Sequence, residues 1–202
     1  MRKIVLASNN AKKLAELQAL FAPLGVELVT QGSLGIPEAE EPFDSFVENA
    51  LTKARHAAKL SGLPALADDS GLAVEALGGA PGVLSARYAT LFGRPKSDAE
   101  NNAVLLEKLA GFEQRAARFV CALVAVRSAH DPEPLIAMGR WQGQVLSALS
   151  GEGGFGYDPL LFIPSLGRSV AQLSAAEKNA LSHRALAAAD LVTQMRENWQ
   201  LV

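Results

Sequence analysis

The 202-residue chain has a single cysteine, Cys121, so no disulfide can close within it. That thiol lies in the run Phe119-Val120-Cys121-Ala122-Leu123-Val124, which reads as a buried strand and makes a structural thiol the natural assignment, not a nucleophile. No stretch approaches the roughly 20 consecutive apolar residues of a membrane span. The chain also lacks an excess of positive charge. Its formal net charge is −2, so no basic field recruits a nucleic-acid polymer, although a few placed cations can still hold one small anion. No secretory leader pattern opens the sequence, and no repeat, low-complexity tract or linker interrupts it. The expectation is one soluble, cytoplasmic domain over residues 1–202, with no membrane and no nucleic-acid polymer as partner.

What is present is ordinary globular composition, 49% hydrophobic and 20% charged, with a βαβ opening. Residues 3–7 (Lys-Ile-Val-Leu-Ala) form a short apolar run typical of a buried strand. Leu14, Leu17, Leu20, Phe21 and Leu24 then recur at helical spacing, Gly25 ends the helix, and residues 26–30 read as a second strand. A helix is expected over about 43–60, with Phe46, Ala50, Ala54, Ala57 and Ala58 facing inward, and another from Ser97 or Asp98 to Leu109. Residues 119–126 and 134–145 read as two long strands, and residues 175–199 as one closing helix.

The most telling segment is Ala65-Leu66-Ala67-Asp68-Asp69-Ser70-Gly71. Two carboxylates at the end of a buried strand need compensation, and a divalent metal supplies it. Asp, Ser and Gly also suit a plain turn, and the segment by itself leaves both readings open. Ser8-Asn9-Asn10-Ala11-Lys12-Lys13 joins the first strand to the first helix. Free amides and the helix dipole make such a junction attractive to anions, and a capped helix with solvated lysines is the plainer alternative. This loop has no glycine and so is not a Walker loop. Glu40 and Glu41 form a second acidic pair, of interest only if the fold brings one beside Asp69. Lys178, His183 and Arg184 are spaced i, i+5, i+6, which does not place all three on one helical face. The loop Gly153-Gly154-Phe155-Gly156-Tyr157-Asp158-Pro159 offers two aromatics and an acid on a permissive backbone, suited either to stacking a nucleobase or to folding back into the core. His56 and His130 have no evident partners.

Taken together, six ordered segments resemble the inosine triphosphate pyrophosphatases, also called non-standard purine nucleoside triphosphate pyrophosphatases. They are Ser8-x-Asn10-x-x-Lys13-x-x-Glu16, Glu41 with Phe46-x-Glu48-Asn49-Ala50-x-x-Lys53-Ala54, Ala67-Asp68-Asp69-Ser70-Gly71-Leu72, Gly78-Gly79-Ala80-Pro81-Gly82-x-x-Ser85-Ala86-Arg87-Tyr88, Gly154-Phe155-Gly156-Tyr157-Asp158-Pro159 and Glu177-Lys178-Asn179-x-x-Ser182-His183-Arg184. The resemblance implies an elongated α/β fold, a mixed sheet with flanking helices and two lobes around a central cleft, assembled as a homodimer. It implies Mg²⁺-dependent hydrolysis of ITP, dITP and XTP to monophosphate and pyrophosphate, a cleansing of the nucleotide pool. By matched position, the resemblance makes Asp69 the catalytic acidic residue and a metal contact, Glu41 a metal ligand and Asp68 a supporting one. Ser8, Asn9, Asn10, Ala11, Lys12, Lys13, Lys53, Ser70 and Lys178 hold phosphates and sugar. Phe155 stacks the base, with Gly156, Tyr157, Asp158, His183 and Arg184 around it. Asn9 and Lys12 replace the small residues common in that loop, and Gln172 replaces a frequent Glu.

Hypoxanthine and xanthine carry an acceptor at O6 where adenine carries an amino donor. An Arg or His donor aimed there favours the first two, because a buried donor left unpaired costs about 1–3 kcal/mol. Guanine shares O6, so its rejection needs something at its 2-amino group. Two other readings compete: a related phosphohydrolase for other modified nucleotides such as pyrimidines, and a nucleotide-binding module without catalysis.

Overall fold

A computed structural model describes residues 2–201 and gives a mixed α/β fold. Seven strands order as β2-β1-β3-β4-β5-β6-β7 in one open sheet. They are β1 (Arg2–Leu6), β2 (Val26–Thr30), β3 (Ala65–Val74), β4 (Ala116–Val126), β5 (Leu135–Val145), β6 (Leu161–Ile163) and β7 (Arg168–Ser169). β1 is parallel to β2 and β3, whereas β6 is antiparallel to β5 and β7. Five α-helices are described: α1 (Ala11–Phe21), α2 (Phe46–Ser61), α3 (Asp98–Lys108), α4 (Ala175–Leu181) and α5 (His183–Trp199).

The chain divides into two compact units. The first comprises residues up to Asp69, Cys121–Gly139 and everything from His183 onward; the second comprises Ser70–Val120 and Arg140–Ser182. The first has apolar layers on both sides of its strands. Leu6, Leu17, Phe21, Leu66, Leu123 and Leu191 build one, and Val5, Ala54, Ala57, Ala122 and Val124 build the other. Burial on both sides explains why β4 is almost continuously apolar. The second unit has its own core, including Leu72, Leu105, Trp141, Tyr157, Leu160 and Leu161.

Local chemistry sets the helix ends. Asn10 caps α1, its Oδ1 accepting from the amides of Lys12 and Lys13 at 3.0 and 3.1 Å. Ser45 caps α2, and Gly62 ends it at φ +69°, a left-handed turn that glycine adopts without strain. The expected inward alanines Ala50, Ala54, Ala57 and Ala58 are all buried. Ser97, not Asp98, caps α3.

Two expectations need correction. The Asp68–Asp69 pair does not end its strand and is not a turn; β3 runs ten residues through both acids to Val74. The closing helix is two helices. Ser182 is extended, with φ −68° and ψ 161°, and separates α4 from α5. That break removes the constraint that the i, i+5, i+6 spacing of Lys178, His183 and Arg184 seemed to impose.

Candidate active site

In the first unit, β3 carries Asp68 and Asp69 side by side, and strand alternation turns the two carboxylates to opposite faces. Each meets a different set of cations. Asp68 has a side chain with no exposed surface. Its Oδ1 accepts from Lys13 Nζ at 2.7 Å and its Oδ2 from Arg184 Nε at 2.7 Å. Cys121 Sγ lies 3.5 Å from the same Oδ2. Burial opposes the charge on Asp68, but the field of Arg184, and then of Lys13, outweighs it and holds this carboxyl well below its ordinary range. Arg184 Nη1 also donates to Glu16 Oε2 at 2.5 Å. Both oxygens of Asp68, expected as a supporting metal contact, accept from cations, the buried Arg184 and the half-buried Lys13.

Asp69 differs. Its Oδ1 accepts from Lys53 Nζ at 2.7 Å, and the same ammonium donates to Glu41 Oε1 at 2.6 Å and to the Asp68 carbonyl at 3.0 Å. Its Oδ2 is buried and has no hydrogen-bond partner among the described residues. Burial pushes the Asp69 carboxyl up to about 6; Lys53 pulls against this and Glu41 adds to it. Lys53 in turn is raised, because Asp69 and Glu41 together outweigh its own burial. Glu41 reaches this position from a loop without regular structure. Asn49 fixes that loop's end, its Oδ1 accepting from the Phe43 amide and its Nδ2 donating to the Phe43 carbonyl.

This ionic cluster sets Lys13, Lys53 and Arg184 against Glu16, Glu41, Asp68 and Asp69, three cations against four carboxylates. No group of three or more His, Cys, Asp or Glu side chains is poised around a metal position among the described residues. The donor set nevertheless fits a hard cation. Mg²⁺ is held by one or two carboxylates and completes its shell with water and phosphate oxygens. Glu41 and the orphaned Oδ2 of Asp69 are such a pair.

The first loop is held as an anchor for this cluster. The Asn10 amide donates to Ser8 Oγ at 3.2 Å, and Ala11 opens α1. The Lys12 amide joins the Asn10 cap while its side chain lies on the exposed side. Asn9 turns sideways: its Oδ1 accepts from the Gly32 amide at 2.8 Å, so tightly that a Cβ on Gly32 would sit 2.4 Å from it.

In the second unit, Phe155, Asp158 and Lys178 come together. Asp158 Oδ2 accepts from Lys178 Nζ at 2.7 Å and from the Phe155 amide at 2.9 Å. Lys178 Nζ lies 4.4 Å from the centre of the Phe155 ring. Gly154 is required twice over: its φ is +73°, and a Cβ there would fall 2.0 Å from Asp158 Oδ2. The Gly156 amide donates to Asp98 Oδ2 at 2.7 Å, and Asn102 Nδ2 donates to the Gly156 carbonyl at 3.0 Å. The two aromatics of this loop divide. Phe155 is half-buried, whereas Tyr157 is in the core and donates its hydroxyl to the Ser85 carbonyl at 2.9 Å. Tyr157, expected around the base, thus has its side chain packed in the core of this unit. Burial also drives the Tyr157 hydroxyl above its usual range. Ser70 is half-buried on β3, and His183 is buried at the start of α5. Gln172 accepts from the Ser169 amide at 2.9 Å and closes a capping box. His56, which showed no partner in sequence, lies 2.9 Å from the Pro37 carbonyl.

Sequence reasoning assigned no role to Glu16, Asn49, Asp98 or Asn102. A signal for Glu16 was present: it follows Lys13 at i+3, on the same face of α1.

With this geometry established, comparison with known proteins gives a consistent result. The sequence profile of the Ham1 family matches residues 4–194. A dITP/XTP pyrophosphatase of Ralstonia nicotianae is 64% identical over 196 residues, covering 97% of this chain and 98% of that one. One from Methylibium petroleiphilum is 64% identical over 205 residues, covering 98% and 99%. Among solved structures, a HAM1 protein from Coxiella burnetii superposes with a TM-score of 0.89 at 47% identity, covering 98% of this chain and all of that one. The Staphylococcus aureus Ham1 protein superposes with a TM-score of 0.85 at 36% identity, covering 97% and 99%.

Proposed function

The chain belongs to the Ham1 family, and from that premise we infer that it is a hydrolase of non-canonical purine nucleoside triphosphates. Water attacks the α-phosphorus, the bond to the bridging oxygen of the β-phosphate breaks, and monophosphate and pyrophosphate leave. The observation that carries this reading is the buried, unpartnered Oδ2 of Asp69 beside Glu41 and Lys53. A carboxyl raised to about 6 is ionised near neutral pH yet basic enough to take a proton from water. Asp69 is thus the catalytic group. The Lys13 and Lys53 ammonium groups neutralise phosphate oxygens, supported by the amides of the Ser8–Lys13 segment at the start of α1.

Glu41 and Asp69 are the residues that would hold Mg²⁺, which supplies charge neutralisation of phosphate and an acidified water when bound. Phe155 stacks the base, and the Lys178–Asp158 pair fixes the ring that does so. The enzyme is proposed to act in the cytoplasm and to form a homodimer, the latter supported by the family resemblance. None of the described helices is long and apolar enough to cross a membrane.

The test is pyrophosphate release with Mg²⁺ across ITP, dITP, XTP, GTP, ATP and dUTP. Fast turnover of the first three and slow turnover of the others is the expected result. Faster turnover of dUTP would favour a pyrimidine enzyme, and tight ITP binding without pyrophosphate release would favour a binding module. Light scattering of the purified protein decides the dimer, and removal of Mg²⁺ by EDTA decides the metal.

A further inference from the structure

Phe155 stands between Gly154 and Gly156, whose φ angles are +73° and +61°. A backbone so permissive does not orient a ring by itself, and the ring's direction depends on what holds the peptides on either side of it. On one side the Phe155 amide donates to Asp158 Oδ2 at 2.9 Å, a bond within the loop. On the other side the hold comes from a different element. Helix α3 grips Gly156 at both of its polar groups: Asp98 Oδ2 accepts from the amide at 2.7 Å, and Asn102 Nδ2 donates to the carbonyl at 3.0 Å. Asp98 and Asn102 lie at i and i+4 of α3 and so share one face of it.

α3 is itself anchored. Asn101 Oδ1 accepts from the Ala89 amide at 2.8 Å, and its Nδ2 donates to the Ala86 carbonyl at 3.3 Å. Val104 packs with Tyr88 and Ala89 in a small apolar cluster. The residue after Gly156 is tied to the same stretch, through the Tyr157 hydroxyl and the Ser85 carbonyl. Residues 85–89 and α3 therefore form a frame to which Gly156 and Tyr157 are fastened, while Phe155 stays half-buried. Asn102 shows what the fastening is for. It is 5% exposed, and its Oδ1 is buried with no hydrogen-bond partner among the described residues. A buried acceptor without a partner costs free energy that an apolar side chain in its place would not carry. What the amide supplies there is the bond to Gly156.

We propose that Asp98 and Asn102 are positioning residues for the Phe155 ring: by holding Gly156 at both its amide and its carbonyl they set the surface on which the purine stacks, so that α3 governs affinity for the nucleotide through that ring. This rests on the assignment of Phe155 to the base given above.

The experiment takes wild type, Asp98→Ala, Asp98→Asn and Asn102→Ala, each also in a Phe155→Ala background. It measures steady-state kinetics with ITP, ITP binding by calorimetry, and inhibition by inorganic tripolyphosphate, which has no base. Asp98→Ala is expected to raise KM and the ITP dissociation constant about tenfold, the scale of one charge-assisted hydrogen bond, with kcat nearly unchanged. Asp98→Asn keeps an acceptor for the Gly156 amide and recovers most of that loss. Asn102→Ala lies in the same direction as Asp98→Ala, and tripolyphosphate inhibits every variant as it does wild type. In the Phe155→Ala background the Asp98 and Asn102 substitutions no longer change affinity, a coupling that a merely structural role would not produce. An effect of Asp98→Ala that persists undiminished without the ring overturns the proposal. So does a fall in kcat at constant KM, or an unchanged affinity for ITP in both Asp98→Ala and Asn102→Ala. Absence of ITP turnover in the wild type counts against the functional reading instead, and the binding arm still decides the role of α3. A wild type that neither binds nor turns over ITP overturns both.

Discussion

Asp68 in the first unit and Asp158 in the second are both buried, and each receives an ammonium group at 2.7 Å, yet they are used differently. Asp68 gives each oxygen to a different cation and lies next to a second acid that shares Lys53 with Glu41. In that region charge restrains charge, and one carboxylate oxygen is left over. Asp158 bonds Lys178 and the amide of Phe155, three residues before it in its own loop. There an ion pair fixes the shape of a loop, and the product is an oriented aromatic face. Reaction chemistry needs the unbalanced arrangement; stacking needs only the rigid one. On that contrast, substitutions in the first region are expected to change turnover, and substitutions in the second to change substrate affinity or stability.

The largest effect is expected at Asp69. Asp69→Asn removes the group with the open oxygen and lowers pyrophosphate release by about 10²–10⁴-fold, the range for loss of a general base. The same variant is expected to be more stable than wild type above pH 6. A carboxyl raised from 3.8 to about 6 on folding binds its proton more readily in the native state, so the wild type loses stability as pH rises through that window. The loss is on the order of 2–3 kcal/mol at 1.4 kcal/mol per pKa unit, and urea melts at pH 4 and pH 8 measure it. Equal stability of the two proteins at both pH values would break the contrast at its strongest point.

Lys178→Met is expected to cost about 3–5 kcal/mol of stability, because it leaves Asp158 buried without its cation. Adding Asp158→Asn should recover part of that cost in thermal melts, whereas no comparable rescue is expected for activity in the Asp69 variant. Phe155→Ala is expected to raise KM for ITP by a factor corresponding to about 1–3 kcal/mol of lost stacking, with kcat nearly unchanged. A fall in kcat with constant KM would assign this ring to the reaction instead. The smallest effect is expected for Tyr157→Phe, which removes one buried hydrogen bond to Ser85 and about 1 kcal/mol of stability, with wild-type kinetics.

The parts of this molecule that sequence made legible are those governed by local patterning. The α2 alanines at 50, 54, 57 and 58 declare a helix face, and the unbroken apolar run of β4 declares a strand buried on both sides. The Asp68–Asp69 pair was misread as the end of its strand, because two acids in a strand interior are tolerable only with remote cations. Lys13, Lys53 and Arg184 are 55, 16 and 116 residues away from the acids they bind. The break at Ser182 had no glycine or proline to announce it; the helical pattern of residues 175–199 runs straight across. Arg184 was visible as a cation, but its direction depends on where α5 begins. The two aromatics of the Gly153–Pro159 stretch were visible as a pair, and only packing could separate the buried Tyr157 from the half-buried Phe155.

Gly139 has a consequence for how function is traced in this chain. Surveys for important positions look for groups that donate, accept, ionise or coordinate, and a glycine in mid-strand has none of these. Yet Gly139 lies on β5 so close to the start of α5 that a Cβ there would fall 1.8 Å from the His183 carbonyl oxygen, leaving no volume even for a methyl group. The position is a steric veto. It excludes nineteen of the twenty residues on packing grounds alone.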